Sequence, residues 1–431
     1  MNWMPATDAE QRDMLAAVGA DSIDTFFDVI PEALRLRDWN IPEGLSEFSL
    51  RRALEDLAGR NTRGYVCFLG GGYYDHYIPA AVDALSGRSE FYTAYTPYQP
   101  ESAQGTLQAI YEYQSVISRL TDMECANASL YDGGTAVYEA AAMACRITGR
   151  FRVIVHPTLH PVWRRMLETH VAGSPIEVCS GDAPDGDDVA CVIAQNPAFL
   201  GDLCDYSALA EACHSRGALL VMAVNPVSLG LVKTPGSMGA DIVVAEGQGL
   251  GLPLGFGGPY LGILAARKAH IRKMPGRIAA ATTDAAGRRG FVLTLQAREQ
   301  HIRREKALSN ICSNQALCAL RALIYLCLLG GAGLEATARA CHSKAEYLKS
   351  CLAFLEILNP GTTFNEFAVR LPRPADTVIG ILRGKGFLPG LPLAPLGCGG
   401  PNDLLIAVTE KRTREELDAF AEALRESCHG I

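Results

Sequence analysis

Between Phe151 and Ala266 six short runs, FRVIVH, PIEVCS, VACVIAQ, GALLVMAVN, ADIVVAE and YLGILAA, are apolar over most of their length instead of alternating apolar with polar. A strand with one wet face alternates with a period of two, so a run that is apolar on both parities has both faces buried. Between several of these runs lie stretches with a helical apolar stripe, PVWRRMLETHVAG and DYSALAEACHSRG among them. Buried strands joined by helices predict an α/β fold, a mostly parallel sheet with helices on both faces.

The flanks read differently. TDAEQRDMLAAVG opens with Thr7 and Glu10 in capping-box spacing, and SEFSLRRALEDLAGRN sets an apolar stripe behind a serine cap, so residues 1–63 are expected to form a helical arm. A large α/β domain then fills 64–330. A long helical region is expected to begin around GFVLTLQAREQHIRREKALSNICSNQALCALRALIYLCLLGG and to run through Gly331. FNEFAVRL and DLLIAVT as strands, with TREELDAFAEALRES as a closing helix, give a small C-terminal α+β domain over 331–431. At 431 residues and 48% hydrophobic, the chain can bury a large core beside a smaller one.

The formal charge of −8, with no run of Lys and Arg among aromatics, speaks against nucleic acid as a partner. No stretch reaches about 18 uninterrupted apolar residues, and MNWMPATDAEQRDML is not a basic start followed by an apolar run. No membrane partner and a cytoplasmic location are therefore expected. Fourteen cysteines, scattered from Cys67 to Cys428, form no CxxC pair and no metal-ligand spacing. They read as reduced, mostly buried small side chains, with no metal site.

Two glycine clusters lead from loops into helices, FLGGGYYDHYIP and LYDGGTAVYEAAAMA. In the second, Asp132 can cap while Gly133, Gly134 and Thr135 present free amides at a helix start. That is either an anion site or an ordinary capped helix. Neither cluster continues as a P-loop or a dinucleotide fingerprint.

A large domain of this plan with a small α+β tail is one architecture of pyridoxal-phosphate enzymes. Such an enzyme needs a lysine for the Schiff base and an acid beside the pyridine nitrogen. The chain has eight lysines, Lys233, Lys268, Lys273, Lys306, Lys344, Lys349, Lys385 and Lys411. The small-residue turn after a strand where the cofactor lysine belongs, VVAEGQGLGLPLGFGG, contains none of them. The preceding strand, LLVMAVN, has no acid, so both requirements fail together.

The stretches TAYTPYQPESAQGTLQAIYEYQ, ECANASLYDGGTAVYEAAAMA, QNPAFLG, GQGLGLPLGFGGPYLG, MPGRI and TLQAREQHIRREKALSNICSNQ resemble the N-terminal half of the P-protein of the glycine cleavage system. More closely still, the chain resembles the separate subunit 1 of the two-subunit form of glycine dehydrogenase (decarboxylating), over nearly its whole length. The resemblance implies a pyridoxal-phosphate-dependent transferase fold (fold type I), used in duplicate. It implies that pyridoxal phosphate is bound by a partner, subunit 2, whose His-Lys pair falls in register on Gln248 and Gly249 and whose pyridine-binding acid falls near Ala223. This chain would then anchor no cofactor. The family's reaction decarboxylates glycine on the cofactor and passes the aminomethyl group to the lipoyl group of the H-protein. A heterotetramer of two copies of each subunit is the expected assembly.

In this fold the active site lies near a subunit interface, so loops of one subunit can complete the site of the other. YTPYQPE offers hydroxyls at Tyr95 and Tyr98 and polar reach at Gln99 and Glu101. Pro97 and Pro100 should keep the loop extended, with a helix beginning near Glu101. His301, in REQHIRRE, and His76, in the first glycine cluster, either donate to a phosphate or carboxylate or serve the structure. The candidate catalytic contributions to a shared site are thus Tyr95, Tyr98, Glu101 and His301. Two alternatives stand beside this reading: a purely structural subunit whose aromatics only pack, and a self-sufficient enzyme using Lys233.

Overall fold

The structure is a computed structural model that describes residues 6–36, 38, 40–92, 95–255 and 257–429. The chain divides into two compact units, 1–63 and 64–431. In the first, helices Asp8–Val18 and Glu47–Gly59 are joined through two short 3-10 turns. The capping box forms as expected: Thr7 Oγ1 accepts from the Glu10 amide at 3.3 Å, and Glu10 Oε2 accepts from the Thr7 amide at 2.7 Å. Ser46 caps the second helix by accepting from the Ser49 amide. None of the described residues of this unit is buried, and Phe48, Leu54 and Leu57 are exposed.

In the second unit all six apolar runs become strands of one seven-stranded sheet. Its order is Cys125–Ala126, Gly262–Ala266, Ile242–Glu246, Leu219–Val224, Val189–Asn196, Arg152–Val155, Glu177–Ser180. The pairs from Ile242–Glu246 outward to Glu177–Ser180 are parallel, and the two involving Gly262–Ala266 are antiparallel. The alternation is visible residue by residue. Val192, Ala194, Leu220, Met222, Val243 and Ala245 feed one core, while Cys191, Ile193, Val221, Ala223, Ile242 and Val244 feed the core on the other face. Gly133–Thr148 and Pro161–Val171 cover the second face; Gln104–Thr121 and Ala316–Cys351 contribute to the first.

A third core lies under an antiparallel sheet of Glu356–Ile357, Glu366–Arg370, Asp403–Ala407 and Leu391–Pro392, closed by the helix Arg414–His429. The helix Ala316–Cys351 reaches both large and small cores: Leu323, Leu326, Leu334 and Ala338 enter the first, and Ala345 and Leu348 the third. Helical geometry breaks once along it, at Gly330, with φ 59° and ψ −173°, a conformation open essentially to glycine alone. By length and apolarity this helix would suffice to cross a membrane. Arg321 interrupts its sequence and pairs with Asp83 at 2.6 Å.

The long helical region expected around 290–331 forms only in its last part, from Ala316. Arg289–Thr294 instead forms an antiparallel hairpin with Ile278–Thr283, and helix resumes only at Ala316 apart from the short turn Gln300–Arg303. The helix expected near Glu101 begins at Gln104, whose side chain is the reason: Nε2 donates to the carbonyls of Pro100 and Phe291, and Oε1 accepts from the Phe291 amide. All fourteen cysteines are free thiols, but the expectation that most are buried does not hold: six are buried, six are half-buried, and Cys312 and Cys327 are exposed.

Candidate functional site

The parallel strands Val189–Asn196, Leu219–Val224 and Ile242–Glu246 end at the same edge of the sheet, where ligands bind in open α/β folds. Gln195, Asn225, Glu246 and Gly249 gather there around a residual cavity of about 20 Å³, room for a water molecule. The helix Gly133–Thr148 aims its N-terminus at the same place, with Asp132 accepting from the Thr135 amide at 2.8 Å.

The free amide of Gly133 is already taken. Glu246, 4% exposed, accepts it on Oε2 at 2.9 Å, and accepts the amides of Gln248 (3.0 Å) and Leu261 (3.1 Å) on Oε1. Burial pushes the Glu246 carboxyl up, to about 8, while these amides pull it down. A Cβ at Gly133 would lie 2.5 Å from Trp163 Cζ2 and 3.0 Å from Glu246 Cβ, so only glycine lets indole and carboxyl close over the helix end. Trp163 stacks in turn on His160, with ring centroids 5.1 Å apart and planes 15° apart. His160 donates from Nε2 to the Gly71 carbonyl at 2.7 Å and accepts the Val162 amide on Nδ1, which fixes a neutral tautomer. Burial holds its pKa down at about 4.

At the position that the resemblance aligns with the cofactor lysine, Gly249, a Cβ would come within 3.1 Å of His76 Cδ2 and 3.3 Å of Val227. Gln248, beside it, is consumed internally: it accepts the Tyr74 amide and donates to the carbonyls of Tyr74 and Leu252. Ala223 is fully buried in the apolar core. These residues do not fit pyridoxal phosphate, because indole, carboxyl and imidazole fill the space that a ring, a phosphate and a lysine would need. Lys233 lies in a surface ion pair with Asp205 at 3.1 Å and also donates to Ser207.

His76 is buried, with Nδ1 2.7 Å from Glu410 Oε2, while its Nε2 has no hydrogen-bond partner. Glu410 also accepts from Cys341 Sγ at 3.3 Å and from the Tyr77 amide at 2.6 Å. Burial works to raise the Glu410 carboxyl, and the bond and charge of His76 outweigh it, leaving it at about 2. His76, Cys341 and Glu410 are metal-ligand types brought together from distant positions that no sequence spacing could reveal. Here they bond one another, and burial pushes the Cys341 thiol up, against the thiolate a metal requires. The first glycine cluster has a similar occupant: Glu366 accepts the Gly71 amide at 2.6 Å and the Tyr74 hydroxyl at 2.5 Å. Burial pushes its carboxyl up to about 7.

The loop candidates lie elsewhere. Tyr98 sits between two surface hollows, one lined with Tyr95, Gln99 and Thr106, the other with Glu299, His301 and Arg304. It meets His301 edge to face at 5.5 Å between centroids, so the structure brings these two together. Tyr95 is 78% exposed, and Glu101 is exposed in the turn before Gln104; neither joins the Tyr98–His301 contact. What the sequence reading missed is Arg277, buried, which donates to the Tyr98 oxygen and to the Cys312 carbonyl. Glu299, 8% exposed, lies 3.7 Å from both Arg277 and His301. Glu246 was missed as well, and a lone acid closing a wholly apolar strand was its signal.

The family profile described as "Glycine cleavage system P-protein" matches residues 1–424. "Probable glycine dehydrogenase (decarboxylating) subunit 1" of Geotalea uraniireducens is 53% identical, covering 98% of this chain and 99% of that protein. Its namesake in Maridesulfovibrio salexigens is 50% identical over 99% of each. A crystal structure of glycine decarboxylase (P-protein) of the glycine cleavage system, in inhibitor-bound form, superposes with a TM-score of 0.93 at 43% identity, covering 99% of this chain and all of that one. A glutamate decarboxylase of Lactobacillus brevis, at a TM-score of 0.65 and 11% identity, shares the fold alone. The central sheet is thus that of the fold-type I pyridoxal-phosphate-dependent transferases. With a profile match and half-identical relatives over nearly its full length, the chain belongs to the glycine cleavage system P-protein family.

Proposed function

We propose that this chain is the subunit of a glycine-decarboxylating P-protein that does not anchor the cofactor. On this reading a partner chain, subunit 2, holds the pyridoxal phosphate, which supplies the electron sink for loss of carbon dioxide from glycine. The aminomethyl group then passes to the lipoyl group of the H-protein. The assembly is a cytoplasmic heterotetramer, two copies of each subunit, and this chain is inactive alone. The observation that carries the reading is Gly249, a position with no amine and with His76 against it.

The chain's own contribution is the Tyr98–His301 surface. Arg277 holds the phenol oxygen as an acceptor, which leaves the phenol proton free to donate outward toward a group on a neighbouring subunit. Tyr95 and Glu101, exposed on the same loop, extend that surface. The Arg277 bond equally favours the second reading, in which Tyr98 is a structural post and no catalytic group comes from this chain. The test is co-production with a subunit 2, followed by glycine–bicarbonate exchange measured for each chain alone and for both. Exchange by this chain alone, or a stoichiometric pyridoxyl-lysine on it after borohydride reduction, overturns the reading.

A further inference from the structure

The misfit between the pocket and a cofactor has a definite form. The N-terminal amide of the helix Gly133–Thr148 and the amides of Gln248 and Leu261 converge on one carboxyl group, whose oxygens accept all three. Converging amides at a helix start are the usual equipment for a phosphate or carboxylate brought from outside. Here the oxygens arrive on residue 246, at the end of a strand that is otherwise apolar. The rest of the pocket is closed the same way, by Trp163 over Gly133 and by His76 against Gly249. His76 Nε2, on a side chain 2% exposed, points at the place of a residue-249 side chain and has no partner.

We infer that Glu246 is a built-in occupant of an oxyanion cup: its two carboxyl oxygens take the converging amides that the oxygens of an external carboxylate or phosphate would otherwise accept, and the chain holds this pocket shut with its own side chains. The inference rests on the reading of this chain as the subunit that does not anchor the cofactor. It adds a consequence that reading lacks: the cup keeps its capacity for oxyanions and reveals it when the occupant is cut away.

Glu246→Ala removes Cγ, Cδ and both oxygens, the atoms that acetate would return. The three amides are then buried without acceptors, which is costly, so the variant should unfold at a lower temperature than the wild type. Acetate should raise the thermal midpoint of Glu246→Ala, with a shift that grows as the logarithm of its concentration above the dissociation constant, and leave the wild type unmoved. Inorganic phosphate, tried separately on Glu246→Gly, where the space is larger, tests whether a tetrahedral anion is also taken. Glu246→Gln keeps the shape but replaces one acceptor with a donor facing an amide. It should fold with a lowered midpoint and gain nothing from acetate.

If Glu246→Ala folds and neither anion shifts it, or if the wild type responds equally, the inference fails. Should Glu246→Ala not fold with or without acetate, Glu246→Gln decides: an unchanged midpoint overturns the inference, and a lowered one insensitive to acetate supports it. All readouts are on the isolated chain and involve no turnover, so failure here is distinct from failure of the proposed function, which borohydride mapping and exchange report.

Discussion

The guanidinium of Arg277, 3% exposed, donates to the phenol oxygen of Tyr98 at 2.9 Å while its carbon stands 5.4 Å from the ring centroid of the same residue. One side chain thus fixes both the tilt and the hydroxyl of a tyrosine that is half open to solvent. Arg277 follows a glycine in MPGRI and begins no element of its own; it reaches Tyr98 across 179 positions of sequence.

Tyr98→Phe removes that acceptor from a buried charge, and about 1–3 kcal/mol of stability should go with it. Tyr95→Phe, on a side chain 78% exposed, should cost less than about 0.5 kcal/mol. In the assembled enzyme, compared at equal heteromer content by gel filtration, Tyr98→Phe should lower turnover roughly 10-fold or more if its hydroxyl stabilises the transition state. Wild-type turnover in both variants would leave only the structural reading.

Gly249→Lys should not create a cofactor site. The new Cβ meets His76 and Val227 at contacts tighter than ordinary van der Waals distance, so overpacking should cost about 1–3 kcal/mol. Reduction with borohydride in the presence of pyridoxal phosphate, followed by peptide mapping, should find no stoichiometric adduct at position 249. A fully occupied adduct there would show that the pocket opens more readily than its packing indicates.

The buried acids set opposite slopes of stability with pH. Glu246 at about 8 and Glu366 at about 7 keep a proton in the folded chain over a range where the unfolded chain, at 4.5, has released it. The folded state then binds more protons, so their contribution is fully present below about pH 4.5 and is lost as pH rises through 7 to 8. The contribution of these acids to the thermal midpoint should therefore fall between about pH 5 and about pH 8, and Glu366→Gln should flatten that fall.

Glu410 runs the other way. With its folded pKa depressed to about 2, its contribution is present above 4.5 and is lost as pH falls toward 2. Glu410→Gln should cost about 3 kcal/mol near neutral pH by leaving the buried His76 without its acid, and should blunt the loss of stability on acidification. An unaltered acid limb in the variant would mean that the pair does not govern it.

The central sheet was legible because its inner strands are buried on both faces, although the edge strand Glu177–Ser180, from the run PIEVCS, is only exposed to half-buried. The capping box at Thr7 and Glu10 was legible because it is local. The hairpin was not: Ile278–Thr283 is buried at its start and exposed at its end, and FVLT in its partner strand suits a helix stripe equally well. The pocket's occupants were hidden for another reason. Glu246 meets Gly133 across 113 positions, Glu366 meets Gly71 across 295, and Glu410 meets His76 across 334. Composition records that an acid exists; only the fold says which glycine it closes.

Beyond the break at Gly330, the remaining turns of Ala316–Cys351 are shared by two cores, with Leu334 and Ala338 seated in one and Ala345 and Leu348 in the other, so this part works as a beam. Swinging the small sheet against the large one would have to bend this beam where both cores grip it. The C-terminal region is therefore mechanically part of the frame. Any hinge between the two sheets of residues 64–431 would have to lie outside the turns of this helix that follow Gly330.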